Sequence, residues 1–349
     1  MIHMIYMEHD WILYLAAFAC AFGIALVTTP LAKKLAFRLN AVQYPRERDM
    51  HNKPMPLMGG FSIILGFTIT MGIMAMFLPY FREREFIGLA IGGIIIAFTG
   101  IIDDVVELKS ITKLIIQIIV AVIVVASGIR IEIVVWPVTA YLQIFSIPIT
   151  IFWIVGMTNA VNLIDGLDGL AAGATAIGAL CLMVLCLITG SPLAVVLSAT
   201  LAGSILGFLP RNFNPAEIFM GDTGALFIGY VLAVSSILGV FKGYTLLAVL
   251  IVIFAMFLPI LDTNFAFFRR IFTGHKWNEG DRGHMHHRLI DAGFSPKQAV
   301  VMLYALSAVT AVIAIVIAMR EVRVIIVTVF FLLALFVVLH VYRKRTNGR

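Results

Sequence analysis

Eleven long runs of almost purely apolar residues, bounded by charged residues, proline or glycine, leave this chain few ways to fold. Read in windows of about 19 residues, they fall near 11–29, 59–80, 87–102, 113–128, 144–162, 169–189, 192–210, 223–240, 244–261, 298–318 and 323–341. A helix needs about 20 apolar residues to cross the hydrocarbon of a bilayer, and a helix satisfies its own backbone there. The expected fold is therefore an all-α polytopic membrane protein of about eleven transmembrane helices, in a single domain over residues 1–349. The third and fourth runs are short for that purpose. Composition agrees, since 61% of the 349 residues are hydrophobic and 13% charged, which excludes an ordinary soluble enzyme. Cys20, Cys181 and Cys186 lie inside apolar runs with no metal or disulfide spacing. The first run follows an acidic start, Glu8 and Asp10, so it reads as a span and not as a signal peptide.

Lysine and arginine set the orientation. With the N-terminus outside and the C-terminus in the cytoplasm, 19 of the 25 basic side chains face inward; Arg82, Arg84, Arg130, Lys242, Arg320 and Arg323 face out. The net charge of +6 is then a matter of topology, and no nucleic-acid module or partner is visible. Four polar segments share the cytoplasmic face in this arrangement: Asp103-Asp104, Asn159 to Asp168, Arg211 to Asp222, and His284 to His287. The longer outside connection, 129–143, alternates Ile129, Ile131 and Ile133 with Arg130 and Glu132, as a surface hairpin would.

The segment Asn159-Ala-Val-Asn162-Leu-Ile-Asp165-Gly-Leu-Asp168-Gly169 sets two amides and two carboxylates between two apolar runs. Ionisable groups near bilayer depth are costly enough to be functional by default. Asp103-Asp104-Val-Val-Glu107 closes the third run with three carboxylates, and a spacing of three or four residues puts Asp103 or Asp104 on the face of Glu107. An ordinary acidic helix end would oppose the helix dipole; such a group suits Mg²⁺ or a general base. Asp222, in Phe219-Met-Gly-Asp222-Thr-Gly, stands at a helix start, where it can be an N-cap or lie beside a metal–phosphate complex. Cations approach from several sides: Arg46, Arg48, His51 and Lys53 ahead of Pro54-Met-Pro-Leu-Met-Gly59-Gly60; Arg211; and Arg269, Arg270, His275, Lys276, Arg282, His284, His286, His287 and Arg288 in the segment from Asp262 to Lys297. The histidines lack a second ligand group for zinc and read as donors to a polyanion. Carboxylates suited to Mg²⁺ facing cations suited to phosphates imply phosphoryl transfer between a soluble substrate and a lipid-borne one. An intramembrane prenyltransferase would leave the histidine-arginine loop without a task, and a cation-coupled transporter would place its carboxylates near the bilayer midplane.

In this order, along nearly the whole chain, these motifs resemble the polyprenyl-phosphate N-acetylhexosamine-1-phosphate transferases of the glycosyltransferase family 4 type. The resemblance implies Mg²⁺, with Mn²⁺ as the alternative ion, held by Asn162 and Asp222. It implies uracil contacts from Asp168 and Phe219, and substrate binding by Lys53, Asn159, Asp165 and His284. Asp103 and Asp104 would activate or position the acceptor phosphate, while Arg282, His286 and His287 steady the sugar diphosphate, the two histidines counting among the catalytic groups. Glu107 departs from the pattern, since many members carry a third aspartate there. His284-Met-His286-His287 after Asp281-Arg282-Gly283 is similar to the branch that accepts UDP-N-acetylglucosamine, whereas members that take UDP-muramoyl-pentapeptide usually show three consecutive histidines. Trp277 and Asn278 are available for sugar recognition. The implied setting is a bacterial plasma membrane, with undecaprenyl phosphate as acceptor in the lipid bilayer and wall teichoic acid or a related glycan downstream. A homodimer is compatible with the sequence, which fixes no oligomeric state.

Overall fold

The structure, a computed structural model, describes residues 2–44, 54–78, 81, 83–131, 139–240, 253, 256, 257, 260 and 285–319; for 2–10, 139–144, 286 and 287 it describes the backbone alone. Ten helices lie among them: α1 (Ile2–Arg38), α2 (Gly60–Met74), α3 (Arg84–Val106), α4 (Ser110–Ala126), α5 (Thr139–Leu163), α6 (Leu170–Thr189), α7 (Pro192–Asn212), α8 (Gly221–Gly239), α9 (Met285–Asp291) and α10 (Pro296–Ala318). Two short strands, β1 (Val42–Gln43) and β2 (Met55–Pro56), pair antiparallel with Val42 opposite Pro56. Seven described helices are long and apolar enough to span a membrane: Trp11–Arg38 within α1, α3, Phe145–Leu163 within α5, α6, α7, α8 and α10; α2 and α4 are shorter apolar helices. Nine of the apolar runs coincide with these helices. The run 323–341 lies outside the described residues, as does most of 244–261.

Three boundaries differ from expectation. The third run, expected to be short, is a 23-residue helix that continues through Asp103 and Asp104, because both carboxylates find donors on neighbouring elements. Beyond Thr29, α1 runs on to Arg38 through Lys33 and Lys34, good helix formers whose charge suits a helix C-terminus. Of the stretch expected as a hairpin, residues 132–138 lie outside the described residues, α5 already begins at Thr139, and 129–131 pack on α5: Ile131 N donates to Thr150 Oγ1 at 2.9 Å and Ser146 Oγ donates to Ile131 O at 2.6 Å. The alternation was that of a strand-like segment with Ile129 and Ile131 buried, but its neighbour is a helix.

Burial identifies the centre. In α8, 89% of the span is buried, and in α7 83%, against 22% in α1. Around α8 pack α2, α3, α5, α6 and α7, while α1 lies along α7. Within a membrane apolar side chains gain little by leaving lipid for each other, so close backbone approach carries the packing. Gly203 and Gly207, one turn apart on α7, face the Phe18 and Phe22 carbonyls of α1, and a Cβ at either glycine would collide with them. The same chain reversals bring one set of helix ends together: the C-terminal ends of α1, α3, α5 and α7 and the N-terminal ends of α2, α4, α6, α8 and α10. The polar segments picked from the sequence over 103–107, 159–169 and 211–222 all sit at this end.

Candidate active site

At this end the carboxylate of Asp222 joins three helices. It stands in the first turn of α8, where the helix dipole favours negative charge. It does not cap its own helix: the N-cap is Met220, which makes no side-chain bond. Oδ1 accepts from Asn162 Nδ2, in the last turn of α5, at 2.8 Å. Oδ2 accepts from Lys113 Nζ, in the first turn of α4, at 2.7 Å. The same ammonium donates to Asp103 Oδ2 at 2.9 Å, and Asp103 Oδ1 accepts from Leu108 N at 2.7 Å, closing the turn between α3 and α4.

Asp104 points elsewhere. Its Oδ1 accepts from Asp222 N at 2.8 Å, and its Oδ2 from Thr223 N at 3.2 Å and Thr223 Oγ1 at 2.6 Å. The end of α3 thus caps the start of α8, satisfying backbone donors that no residue of α8 serves. Gly221 allows this approach: its φ is +69°, and a Cβ there would strike the Asp104 carboxylate. α3 stops at Val106, and Glu107, its C-cap, takes a left-handed conformation with its N–H on the Asp103 carbonyl.

Beneath the carboxylates lies an amide pair. Asn159 Nδ2 donates to Gln117 Oε1 at 2.6 Å and to Val155 O at 2.8 Å, and Gln117 Nε2 returns a bond to Asn159 Oδ1 at 3.4 Å. The structure gives Asn159, expected to bind substrate, a partner inside the protein. Asp165, on the turn between α5 and α6, has its carboxyl pushed up to about 8, first by burial and then by the charges of Asp222, Asp104 and Asp168. Asp168 Oδ2 accepts from Asn214 Nδ2 at 3.1 Å and Ala216 N at 3.0 Å, fastening the 213–220 loop over that turn. Phe219 sits in the same loop, stitched by Phe219 N to Pro56 O at 2.9 Å and Gly59 N to Phe219 O at 2.8 Å. From α10, the Tyr304 hydroxyl donates to the Gly169 carbonyl, its ring lies 6.4 Å from that of Phe213, and Lys297 Nζ is 5.8 Å from the Phe213 ring centre.

The structure therefore brings together Asp103, Asp104, Asn159, Asn162, Asp165, Asp168, Phe219 and Asp222. Lys53, Arg282 and His284 lie outside the described residues, as do the side chains of His286 and His287, whose backbone belongs to α9. Sequence reasoning gives no role to Lys113, Gln117, Thr223, Asn214 or Tyr304, although Asn214 and Thr223 stand in the polar segment around Asp222. Lys113 and Gln117 carried a usable signal, being one helical turn apart at the start of an apolar run. By position alone Lys113 is one of the 19 inward basic residues and reports topology.

Among the described residues no three His, Cys, Asp or Glu side chains converge as a ready-made metal cage. Mg²⁺ seldom uses one; it takes one or two carboxylates and completes its shell with water and substrate phosphates. Asp222 and the amide oxygen of Asn162 are a hard, oxygen-only donor set of that kind. The cluster already gathers a cation, the Lys113 ammonium, between two carboxylates. The residues present fit the ion.

Comparison with known proteins bears on the same residues. The sequence pattern of glycosyl transferase family 4 matches residues 86–240, from α3 to the end of α8. A Bacillus subtilis protein named as a probable undecaprenyl-phosphate N-acetylglucosaminyl 1-phosphate transferase is 38% identical over 313 residues, covering 89% of this chain and 86% of that protein. The chain belongs to glycosyl transferase family 4. A decaprenyl-phosphate N-acetylglucosaminephosphotransferase of Mycobacterium leprae is 37% identical over 314 residues, 80% of this chain and 78% of its own. A phospho-N-acetylmuramoyl-pentapeptide-transferase of Staphylococcus epidermidis is 32% identical over 239 residues, 64% of this chain and 74% of its own. As a member of the family the protein is a multi-pass membrane transferase, and the matched segment contains Asp103, Asp104, Lys113, Gln117, Asn159, Asn162, Asp165, Asp168, Phe219 and Asp222.

Proposed function

We propose that this protein transfers N-acetylglucosamine 1-phosphate from UDP-N-acetylglucosamine to undecaprenyl phosphate, giving undecaprenyl-diphospho-N-acetylglucosamine and UMP. The observation that carries this reading is the junction of Asp222, Asn162, Asp103 and Lys113 at one end of the bundle. The Bacillus subtilis and Mycobacterium leprae relatives, each aligned over more than three quarters of its own length, are both named for N-acetylglucosaminyl phosphate transfer to a polyprenyl phosphate. An oxygen of the acceptor phosphate attacks the β-phosphorus of the donor. A new P–O bond forms there, the bond from that phosphorus to the bridging oxygen breaks, and UMP leaves with the electron pair.

Asn162 and Asp222 would hold Mg²⁺, which when bound neutralises the donor diphosphate and the charge that builds on the leaving group. Asp103, next to the cation site and at the end of a spanning helix, positions the acceptor phosphate and accepts its proton where it carries one. Asp104 keeps α8 and Asp222 in register with Asp103. The turn at Asp165 to Asp168 and the loop carrying Phe219 form the nucleoside side of the site. Lys53, Arg282, His284, His286 and His287 complete the reading as contacts to the sugar diphosphate. The topology that goes with it has eleven spans in one domain, the N-terminus outside and the site in the cytoplasm, at the first membrane step of a cell-wall glycopolymer of the teichoic acid type.

Purified protein supplied with Mg²⁺, undecaprenyl phosphate and either UDP-N-acetylglucosamine or UDP-muramoyl-pentapeptide at equal concentration tests this directly. UMP release and labelled lipid product are expected with the first donor and little with the second. Preferential use of the pentapeptide donor would overturn the donor assignment, and release of UMP without acceptor would overturn the transfer itself.

A further inference from the structure

We propose that Lys113 is an internal stand-in for the divalent ion: it bridges Asp103 and Asp222 in the metal-free protein, is displaced from Asp222 when the ion binds, and is thereby released to a substrate phosphate. The inference rests on the metal reading of Asp222 given above.

The geometry is that of a bridging cation. One ammonium sits 2.7 Å from a carboxylate at the start of α8 and 2.9 Å from a carboxylate at the end of α3, with only 22% of the lysine side chain exposed. Its own helix does not favour a positive charge there. Lys113 is in the first turn of α4, at the end of that helix where the dipole is positive and a cation is disfavoured. The helix that follows is apolar, so the carboxylates hold the ammonium in place. Asp104, whose Oδ1 accepts from Asp222 N, brings a third carboxyl group to the same junction. Lys113 and a divalent ion compete for one oxygen, Asp222 Oδ2. Of the two, lysine can yield without moving the backbone, because its ammonium is a point charge on a flexible four-carbon stem. Once off Asp222 it remains beside Asp103, where a phosphate has to arrive for in-line attack, and a lysine serves phosphate well as a point charge. The amide pair of Gln117 and Asn159, one turn below Lys113 and Asn162, holds α4 against α5 so that only the side chain moves.

Mn²⁺ binding to the substrate-free protein in detergent, followed by the electron paramagnetic resonance of the unbound ion, separates this inference from the reading beneath it. If Asp222→Ala keeps the wild-type site, the metal reading falls. If Asp222→Ala loses the site, Lys113→Gln decides the inference: loss of a charged hydrogen bond that competes with the ion is expected to tighten Mn²⁺ binding by roughly tenfold. Lys109→Gln removes the same charge from the exposed start of α4 and gauges the general field effect, expected to be about twofold or less. Unchanged or weaker binding in Lys113→Gln makes the lysine an organiser of the metal site and overturns the proposal. A measurement on wild-type protein needs no variant to fold: reductive methylation of Lys113, scored by mass spectrometry against Lys109, is expected to rise several-fold when Mn²⁺ is added, and an unchanged ratio overturns displacement. Lys113→Gln at saturating Mg²⁺ is then expected to raise KM for one phosphate substrate. A rise for undecaprenyl phosphate identifies the acceptor as the anion, a rise for the UDP-sugar identifies the diphosphate, and a change in neither overturns the second half of the proposal.

Discussion

Asp104 and Thr223 are joined twice, the carboxylate Oδ2 accepting from both the backbone N and the side-chain Oγ1 of the threonine, while Oδ1 takes the N–H of Asp222. Two adjacent aspartates at the end of α3 therefore have different tasks. Asp104 builds the start of α8, and Asp103 faces the cation. Removal of a helix cap costs about 0.5–2 kcal/mol, and here it also leaves buried donors unpaired. Asp104→Ala is expected to lower the melting temperature of the purified protein and to abolish turnover with it, and Thr223→Val to do the same more weakly. Loss of turnover by Asp104→Ala with an unchanged melting temperature would return Asp104 to the reacting groups.

Asp103→Asn keeps an oxygen for Leu108 N but faces Lys113 with a neutral amide. The fold is expected to survive. Turnover is expected to fall by roughly 10²–10⁴, the range of a lost proton acceptor, with KM for the UDP-sugar changing by no more than a few-fold. Steady-state kinetics with each substrate varied in turn checks this, and a collapse of donor binding with turnover preserved at saturation would assign Asp103 to the donor instead.

How far the sequence reveals this protein depends on what kind of signal each part leaves. The spanning helices are legible because about 20 apolar residues have one physical solution in a bilayer. The site is legible as a set of polar residues, because charge at the ends of apolar runs is costly and stands out. Which of those residues touch each other is not. Asp103 and Asp104 are neighbours in sequence, yet adjacent positions on a helix diverge by about 100°, and only tertiary packing decides which one meets α8. Asn159 reads as a ligand-binding amide, and nothing in the sequence places Gln117, 42 positions away, opposite it. Lys113 reads as a topological charge because a count of lysines in loops has no term for a cation that turns inward.

The Asn159–Gln117 pair makes a prediction of its own. Both amides lie between α4 and α5, with Gln117 1% exposed, so removing one partner strands the other. Polar pairs between membrane helices average about 0.6 kcal/mol, with a maximum near 1.7. Asn159→Leu or Gln117→Leu alone is expected to destabilise by about 1–3 kcal/mol, and the double variant by less than the sum. Melting temperatures or denaturant midpoints of the four proteins give the coupling. Additive losses would mean that Asn159 acts apart from Gln117, as a donor contact.

Tyr304 reaches the turn that carries Asp165 and Asp168 through a hydrogen bond to the Gly169 carbonyl, while its ring packs on Gly173 and Phe213. Tyr304→Phe removes the bond and keeps the ring. A neutral hydrogen bond contributes about 0.5–1.5 kcal/mol, so KM for the UDP-sugar is expected to rise by roughly two- to tenfold, with kcat and the KM for lipid phosphate nearly unchanged. Isothermal titration with UMP gives the same answer without turnover. Equal loss in kcat would show that α10 bears on the reacting end of the site as well.

The last prediction uses α3 as a ruler across the membrane. Its 23 residues run from Arg84 to Val106, roughly 35 Å at 1.5 Å per residue, which matches or slightly exceeds the hydrocarbon thickness of about 30 Å. Arg84 and Glu107 are exposed at its two ends, and Asp103 is one turn from the second. If the basic residues have oriented the chain as argued, position 84 meets the outside and position 107 the cytoplasm. Single cysteines at these positions, in a background without Cys20, Cys181 and Cys186, are expected to react oppositely with an impermeant maleimide on intact cells. Only the cysteine at 84 should label before lysis, and both after it. The reverse pattern would turn the molecule over, placing the junction of Asp103, Lys113 and Asp222 on the face where no nucleotide sugar is made. The transferase reading would fall with the topology. Labelling of both from outside would mean that α3 does not span, and would leave the second end of the ruler, and the carboxylates beside it, out of the membrane interface where a lipid phosphate has to bind.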